Sequence, residues 1–193
     1  MTAHERPGRL QVVTGPMFAG KSEELLRRVR RARLAGLAVE VVNHALDDRH
    51  GAQTVASHAG ASLPARAAGD AEAIRALAGR QPLDLLAIDE AQFFGPGLVP
   101  VVNDLAAVGT TVVVAGLCVM LDGRPFEPLP ELMALAEDVT KLTAVCTVCG
   151  ADAAFHQRTV SGGHGNAQAA TAEFIGGAEA YQARCRRHFR PGE

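Results

Sequence analysis

Eight consecutive residues, Gly15-Pro16-Met17-Phe18-Ala19-Gly20-Lys21-Ser22, fit the pattern G-x-x-x-x-G-K-[ST]. Glycines in such a run let the backbone curl until its N–H groups point inward at phosphate oxygens. A helix beginning directly after it adds the positive end of its dipole. In that frame Lys21 reaches the β- and γ-phosphates of a nucleoside triphosphate, and the Ser22 hydroxyl ligates Mg²⁺. The bland alternative is a glycine turn ahead of a helix. Lysine is scarce, with Lys21 and Lys141 the only two in the chain, so no lysine-rich background produces the match.

A second group is Asp89-Glu90, which closes the apolar run Leu85-Leu86-Ala87-Ile88. A buried strand running into two carboxylates is the Walker B arrangement, in which Asp89 supports the Mg²⁺ held by Ser22. Glu90 can take the proton of an attacking hydroxyl if it lies within hydrogen-bond reach. In many ATPases the equivalent carboxylate polarises water instead, so the pair alone does not separate a kinase from a hydrolase.

The third group is Cys146-x-x-Cys149 with Cys185-x-x-His188. Four thiolate or imidazole ligands suit tetrahedral zinc and leave no open position, which makes the site structural. Disulfides are the alternative. The stretch Met1 to Gly8 is polar and lacks the apolar core of a secretory signal, so a cytoplasmic, reducing location is expected and a metal is favoured. Cys118 stands alone on an apolar strand and reads as a packing residue. His4, His44, His50, His58, His156 and His164 show no metal spacing and are expected in loops or at the surface.

The elements that must position these groups follow from periodicity. Leu10 to Thr14, Leu37 to Val42, Leu83 to Ile88 and Thr110 to Leu117 read as buried strands. Glu23 to Ala35 carries Leu25, Leu26, Val29 and Ala32 at helical spacing and stops at Gly36. Ala71 to Ala78, the face Leu98, Val101, Val102, Leu105, and Leu129 to Glu137 read as further helices. Alternation of this kind gives an α/β fold: a P-loop parallel sheet wrapped by helices, with ligands bound beyond the carboxyl ends of the strands. The carboxylate pair is expected on a strand neighbouring the one that feeds the phosphate loop. From about Lys141 short β-like pieces (Leu142 to Val145, Ala154 to Val160, Ala172 to Ile175) flank a glycine-rich loop, Ser161 to Gly165. The division is thus a nucleotide-binding domain over 1–140 and a small zinc-binding module with a lid loop over 141–193.

Composition sets outer bounds. Of 193 residues, 48% are hydrophobic and 21% charged, enough apolar material for a real core and too little charge for a disordered tail. The formal net charge is −2, and the densest basic stretch, Arg27 to Arg33, reads as the solvated face of a helix. Nucleic acid is therefore not expected as a partner. No run of eighteen apolar residues is present, and no membrane association is expected.

Taken together, Gly15 to Ser22 and Asp89-Glu90-Ala91-Gln92-Phe93-Phe94 resemble the signatures of the cytosolic type of thymidine kinase. Lys141-Leu142-Thr143-Ala144-Val145-Cys146, and Ile175-Gly176-Gly177 followed by Tyr181, extend the resemblance from Gly8 to His188. It implies transfer of the γ-phosphoryl group of ATP to the 5′-hydroxyl of thymidine, with deoxyuridine as a further acceptor. Glu90 matches the family's general base, and Asp89 to Gln92 match a segment lining the nucleotide site. Arg49 matches an arginine that steadies the transferring phosphoryl group; its plain alternative is a surface arginine beside Asp47 or Asp48. The lid loop would fold over the nucleoside, whose base is held near Ala172, Glu173, Phe174, Ile175 and Gly176 with Tyr181 alongside. Met17, Phe93, Leu121 and Phe126 are expected at the base pocket, although Met17 and Phe126 serve equally well as core. The resemblance further implies a homotetramer and feedback inhibition by dTTP.

Two departures bear on selectivity. After Leu117 bacterial relatives usually carry acidic residues and an aromatic before Pro-Phe, whereas here the run is Cys118-Val119-Met120-Leu121-Asp122-Gly123-Arg124-Pro125-Phe126. Leu121 can supply apolar contact there but no ring stacking. Phe174 stands where an aliphatic residue is commoner. Two other classes of function remain beside the kinase: a P-loop ATPase or GTPase that drives a conformational change, carrying a structural zinc ribbon, and a zinc-ribbon nucleic-acid binder. The first lacks any guanine-reading N-K-x-D segment, and a zinc-pinned lid is an odd addition to a motor. The second conflicts with the charge and with a single tyrosine for stacking.

Overall fold

A computed structural model describes residues 7–46, 54–56, 62–158 and 180–191. Arg49, the glycine-rich loop and the segment Ala172 to Gly176 lie outside the described residues.

The strands β1 (Arg9–Gly15), β2 (Val39–His44), β5 (Arg66–Ala68), β6 (Leu85–Ile88), β7 (Thr111–Leu117) and β8 (Asp138–Lys141) form one sheet in the order β5-β2-β6-β7-β1-β8. Every neighbouring pair in it is parallel. Between β2 and β5 an antiparallel hairpin of β3 (Thr54–Ala56) and β4 (Ser62–Pro64) packs through Val55 and Leu63 onto the core on the α1 face. Side chains alternate across the sheet with the two-residue period of a strand. Val12, Val42, Leu86, Ile88, Val112 and Val114 pack on one face under α2 (Ala71–Ala78), α3 (Leu98–Ala107) and α4 (Leu129–Leu135). Val13, Val41, Leu85, Ala87, Val113 and Ala115 face the other way, onto Leu25, Leu26, Val29 and Ala32 of α1 (Lys21–Leu34). The parallel sheet with helices on both faces is as expected.

Four expectations need correction. The strand that carries Asp89 and Glu90 is not the neighbour of β1, because β7 is inserted between them. β8 is, with β5, one of two edge strands of the sheet that the sequence does not announce. It reads Asp-Val-Thr-Lys, lies at the sheet edge and is only half-buried, so it lacks the apolar run of an inner strand. Arg28 does not belong to a solvated face. Its guanidinium, 12% exposed, bonds Glu24 Oε1 and Gln11 Oε1 at 2.9 Å and Asp138 Oδ2 and Thr140 Oγ1 at 2.8 Å, tying α1 to β1 and β8.

The fourth correction concerns His44 and His156, both buried. β2 runs two residues past its apolar stretch. The Asn43 side-chain oxygen accepts the His44 N–H at 2.9 Å, and the His44 ring lies 4.5 Å from Phe94 and 5.6 Å from Phe93. His156 sits in β11 (Phe155–Arg158), opposite Ala183 of β12 (Tyr181–Arg184). Burial, and then the charge of Lys21, push its pKa down to about 4, so its ring is neutral at neutral pH.

β11 and β12, with the short antiparallel pair β9 (Ala144–Val145) and β10 (Asp152–Ala153), make up the carboxyl-terminal part. Its small core of Ala144, Cys146, Ala153, Ala183 and Cys185 packs against Phe18 and Ala19 of the phosphate loop.

Candidate active site

The phosphate loop joins β1 directly to α1. Gly20 precedes the helix with φ 83°, a left-handed conformation that costs an L side chain roughly 1–2 kcal/mol. Phe18 adopts φ 66° despite its side chain. It persists there because its ring packs between the carboxyl-terminal core and a second cluster built on Met17, Leu117 and Tyr181. Lys21 bends back over the loop, its Nζ donating to the Pro16 carbonyl at 2.8 Å.

Asp89 lies at the end of β6, 5% exposed. Burial pushes its carboxyl up to about 7, with the nearby Glu90 charge adding to the rise; the Ser22 hydroxyl, the Glu90 N–H and the Lys21 charge act in the opposite direction. Ser22, Lys21, Asp89 and Glu90, chosen by spacing alone, therefore converge in space. The crossing over the intervening β7 is made possible by Gly116. A Cβ there would lie 2.8 Å from Gln92 Oε1, closer than side-chain contacts allow, and a tight 3.3 Å from the Ala91 Cβ. With hydrogen in its place, the 3₁₀ turn Ala91–Phe94 settles onto the end of β7.

Glu90 opens this turn in the left-handed region, φ 52° and ψ 42°, with its N–H donating to Asp89 Oδ1 at 2.9 Å. Its carboxylate accepts from Gln92 Nε2 at 2.5 Å, and Gln92 Oε1 accepts from the Leu117 N–H at 3.0 Å. The role of Gln92 in this linkage is not legible in the sequence, since its second partner lies 25 residues away.

Beside these polar groups lies an apolar cluster of Met17, Leu117 and Tyr181, with Phe18, Phe93, Met120, Leu121 and Phe126 packed against it. All five described residues expected at a base pocket, Met17, Phe93, Leu121, Phe126 and Tyr181, thus come together from four separate parts of the chain. Leu117 and Met120 join them unannounced; as ordinary apolar residues at a strand end they carry no distinguishing signal.

The ligand atoms of Cys146, Cys149, Cys185 and His188 all lie within 4.8 Å of one another. Cys149 Sγ and Cys185 Sγ are 3.8 Å apart, and His188 Nδ1 is 3.7 Å from Cys146 Sγ and 3.3 Å from Cys185 Sγ. Metal–sulfur bonds of about 2.3 Å in a tetrahedron set sulfurs about 3.8 Å apart, so the four fit one tetrahedral ion. Backbone N–H donors, that of Cys185 foremost, hold the Cys146 thiol down to about 5, favouring the thiolate that a metal requires. Cys118 is buried in the main core, away from this set, as expected of a packing residue.

Loop, carboxylate pair and sheet order define a P-loop nucleotide-binding α/β protein with a small metal-binding module. Residues 8–189 match the family model described as thymidine kinase. The chain is 48% identical to a thymidine kinase of Deinococcus deserti over 94% of both chains, and 46% identical to one of Halobacterium salinarum over 96% of both. A thymidine kinase of Deinococcus radiodurans is 53% identical over 80% of this chain and 77% of its own. The chain belongs to the thymidine kinase family. Among solved structures it resembles a genome packaging NTPase of Sulfolobus turreted icosahedral virus 2, at 12% identity and TM-score 0.45 over 74% of this chain and 76% of that one. No described helix is long and apolar enough to cross a membrane.

Proposed function

We propose that this protein transfers the γ-phosphoryl group of ATP to the 5′-hydroxyl of thymidine, giving dTMP and ADP. The observation that carries this reading is the convergence of Lys21, Ser22, Asp89 and Glu90 beside the apolar cluster of Met17, Leu117 and Tyr181. The loop Gly15–Ser22 cradles the triphosphate with its backbone N–H groups, and Lys21 neutralises charge on the β- and γ-phosphates. Ser22 and Asp89 would hold Mg²⁺, which would offset negative charge on the phosphates. Glu90 accepts the proton of the sugar hydroxyl as its oxygen attacks phosphorus. Ala91 and Gln92 belong to the turn that borders the nucleotide site.

Met17, Phe93, Leu121, Phe126 and Tyr181 are assigned to the base pocket, with the segment 172–176 supplying backbone contacts and Arg49 steadying the transferring group. A lid that excludes water from the γ-phosphate would limit hydrolysis of ATP. The Cys146, Cys149, Cys185, His188 set is assigned to structural zinc, on its sulfur-rich donors and lack of an open position. Cytoplasmic location, a homotetramer and inhibition by dTTP accompany this reading; a triphosphate on the product nucleoside can occupy the acceptor pocket and reach the phosphate loop.

The test is ATP turnover across a panel of nucleosides. Turnover should be nearly silent without acceptor and rise with thymidine and, more weakly, deoxyuridine. Turnover that ignores the nucleoside would instead support an ATPase.

A further inference from the structure

Gln92 is 4% exposed, a depth at which both ends of a carboxamide need partners. The Leu117 N–H can only donate, so it must face the amide oxygen, which directs the NH₂ end at Glu90. Chemistry thus fixes the orientation of the amide. Two further features serve the same contact. Gly116 leaves the space in which the carboxamide lies, 2.8 Å from where a Cβ would stand. The left-handed backbone at Glu90, fastened by Asp89 Oδ1, turns its side chain back toward position 92.

We infer that Gln92 is a positioning residue. It clips the Glu90 carboxylate to the end of β7, in the orientation from which that carboxylate takes the hydroxyl proton, and does not act as a contact for ATP. The inference rests on the reading of Glu90 as general base. A carboxylate has lone pairs for several donors, so a hydrogen bond from Gln92 does not by itself exhaust its capacity to accept a proton. A donor to an ionised acceptor makes one of the stronger hydrogen bonds, enough to select one rotamer of a flexible side chain.

The experiment uses the full chain and two variants. Gln92→Glu keeps the shape and the oxygen facing Leu117 but replaces the amide donor with a carboxyl that must repel Glu90 or share a proton with it, and Gln92→Met keeps the volume and removes both contacts. Each should lower kcat about 10- to 100-fold, the worth of a hydrogen bond to a charged group. KM for ATP and for thymidine should stay within about twofold, because uniform binding is untouched. In a Glu90→Gln background neither substitution should lower kcat further, since a clip with no base to hold has no effect.

A rise in KM for ATP with kcat intact would make Gln92 a nucleotide contact and overturn the inference. Losses that multiply in the Glu90→Gln background would overturn it too, with the base reading left standing. Full turnover by Glu90→Gln alone would remove the base, and the clip with it. A melting midpoint measured for each variant separates loss of fold from loss of positioning.

Discussion

Glu90, Gln92 and Gly116 act as one unit although only the first carries reactive chemistry. The glycine clears the end of β7, the amide enters the cleared space, and the carboxylate is held by the amide. Gly116→Ala should therefore do two things. Forcing a methyl group to within 2.8 Å of Gln92 Oε1 and 3.1 Å of Leu129 Cδ2 is overpacking, which costs about 1–3 kcal/mol. It should also lower kcat by more than it raises KM for ATP. Denaturant unfolding and steady-state kinetics check both; unchanged values in the two would contradict this packing. At this scale the sequence is most legible where spacing defines chemistry. Lys21, Ser22, Asp89, Glu90 and the four metal ligands are readable because each belongs to a short motif. Gln92 and Gly116 are not, because the contact that gives them meaning is made only after β7 folds beside β6.

The strands inside the sheet declare themselves by runs rich in valine and leucine, and α1 by its apolar spacing. β8 does not, since a polar edge strand is held by partners far away in sequence. Beyond its ladder with β1, β8 is tied to the domain through Arg28, which Glu24 holds in turn. Hydrogen bonding to Arg27 lowers the Glu24 pKa to about 2, against a partial upward push from burial. The carboxylate therefore contributes stability that is fully present above its ordinary value of 4.5 and is lost as pH falls toward about 2. Glu24→Gln should be less stable than the parent at neutral pH, and the gap should close across that window. Paired unfolding curves from pH 7 to about 2.5 test it; a gap independent of pH would show that the ion pairs with Arg27 and Arg28 contribute nothing.

On the scale of the molecule, the carboxyl-terminal module packs directly against the phosphate loop. Two of its metal ligands, Cys146 and Cys185, lie in the small core that touches Phe18 and Ala19, at the tip of the phosphate loop. Among the described residues, the stack of Phe155 on Phe189 and the buried Tyr181 add to that attachment. Removing the metal, by chelation or by Cys185→Ser, should lower the melting temperature, speed amide exchange at residues 18–19 and weaken ATP binding together. Metal analysis should find about one ion per chain in the parent, as a single tetrahedral set requires. Metal-free protein with undiminished ATP affinity would uncouple the two regions. That coupling was hidden in the sequence, where motif and module stand more than a hundred positions apart.

One measurement bears most directly on the central claim that the phosphate loop and the Glu90 carboxylate share a gap admitting a sugar alcohol. It is the product balance with γ-labelled ATP and thymidine. The predicted result is one labelled dTMP for each ADP formed, with label in inorganic phosphate only at background. Label released chiefly as inorganic phosphate, at a rate indifferent to thymidine, would contradict it.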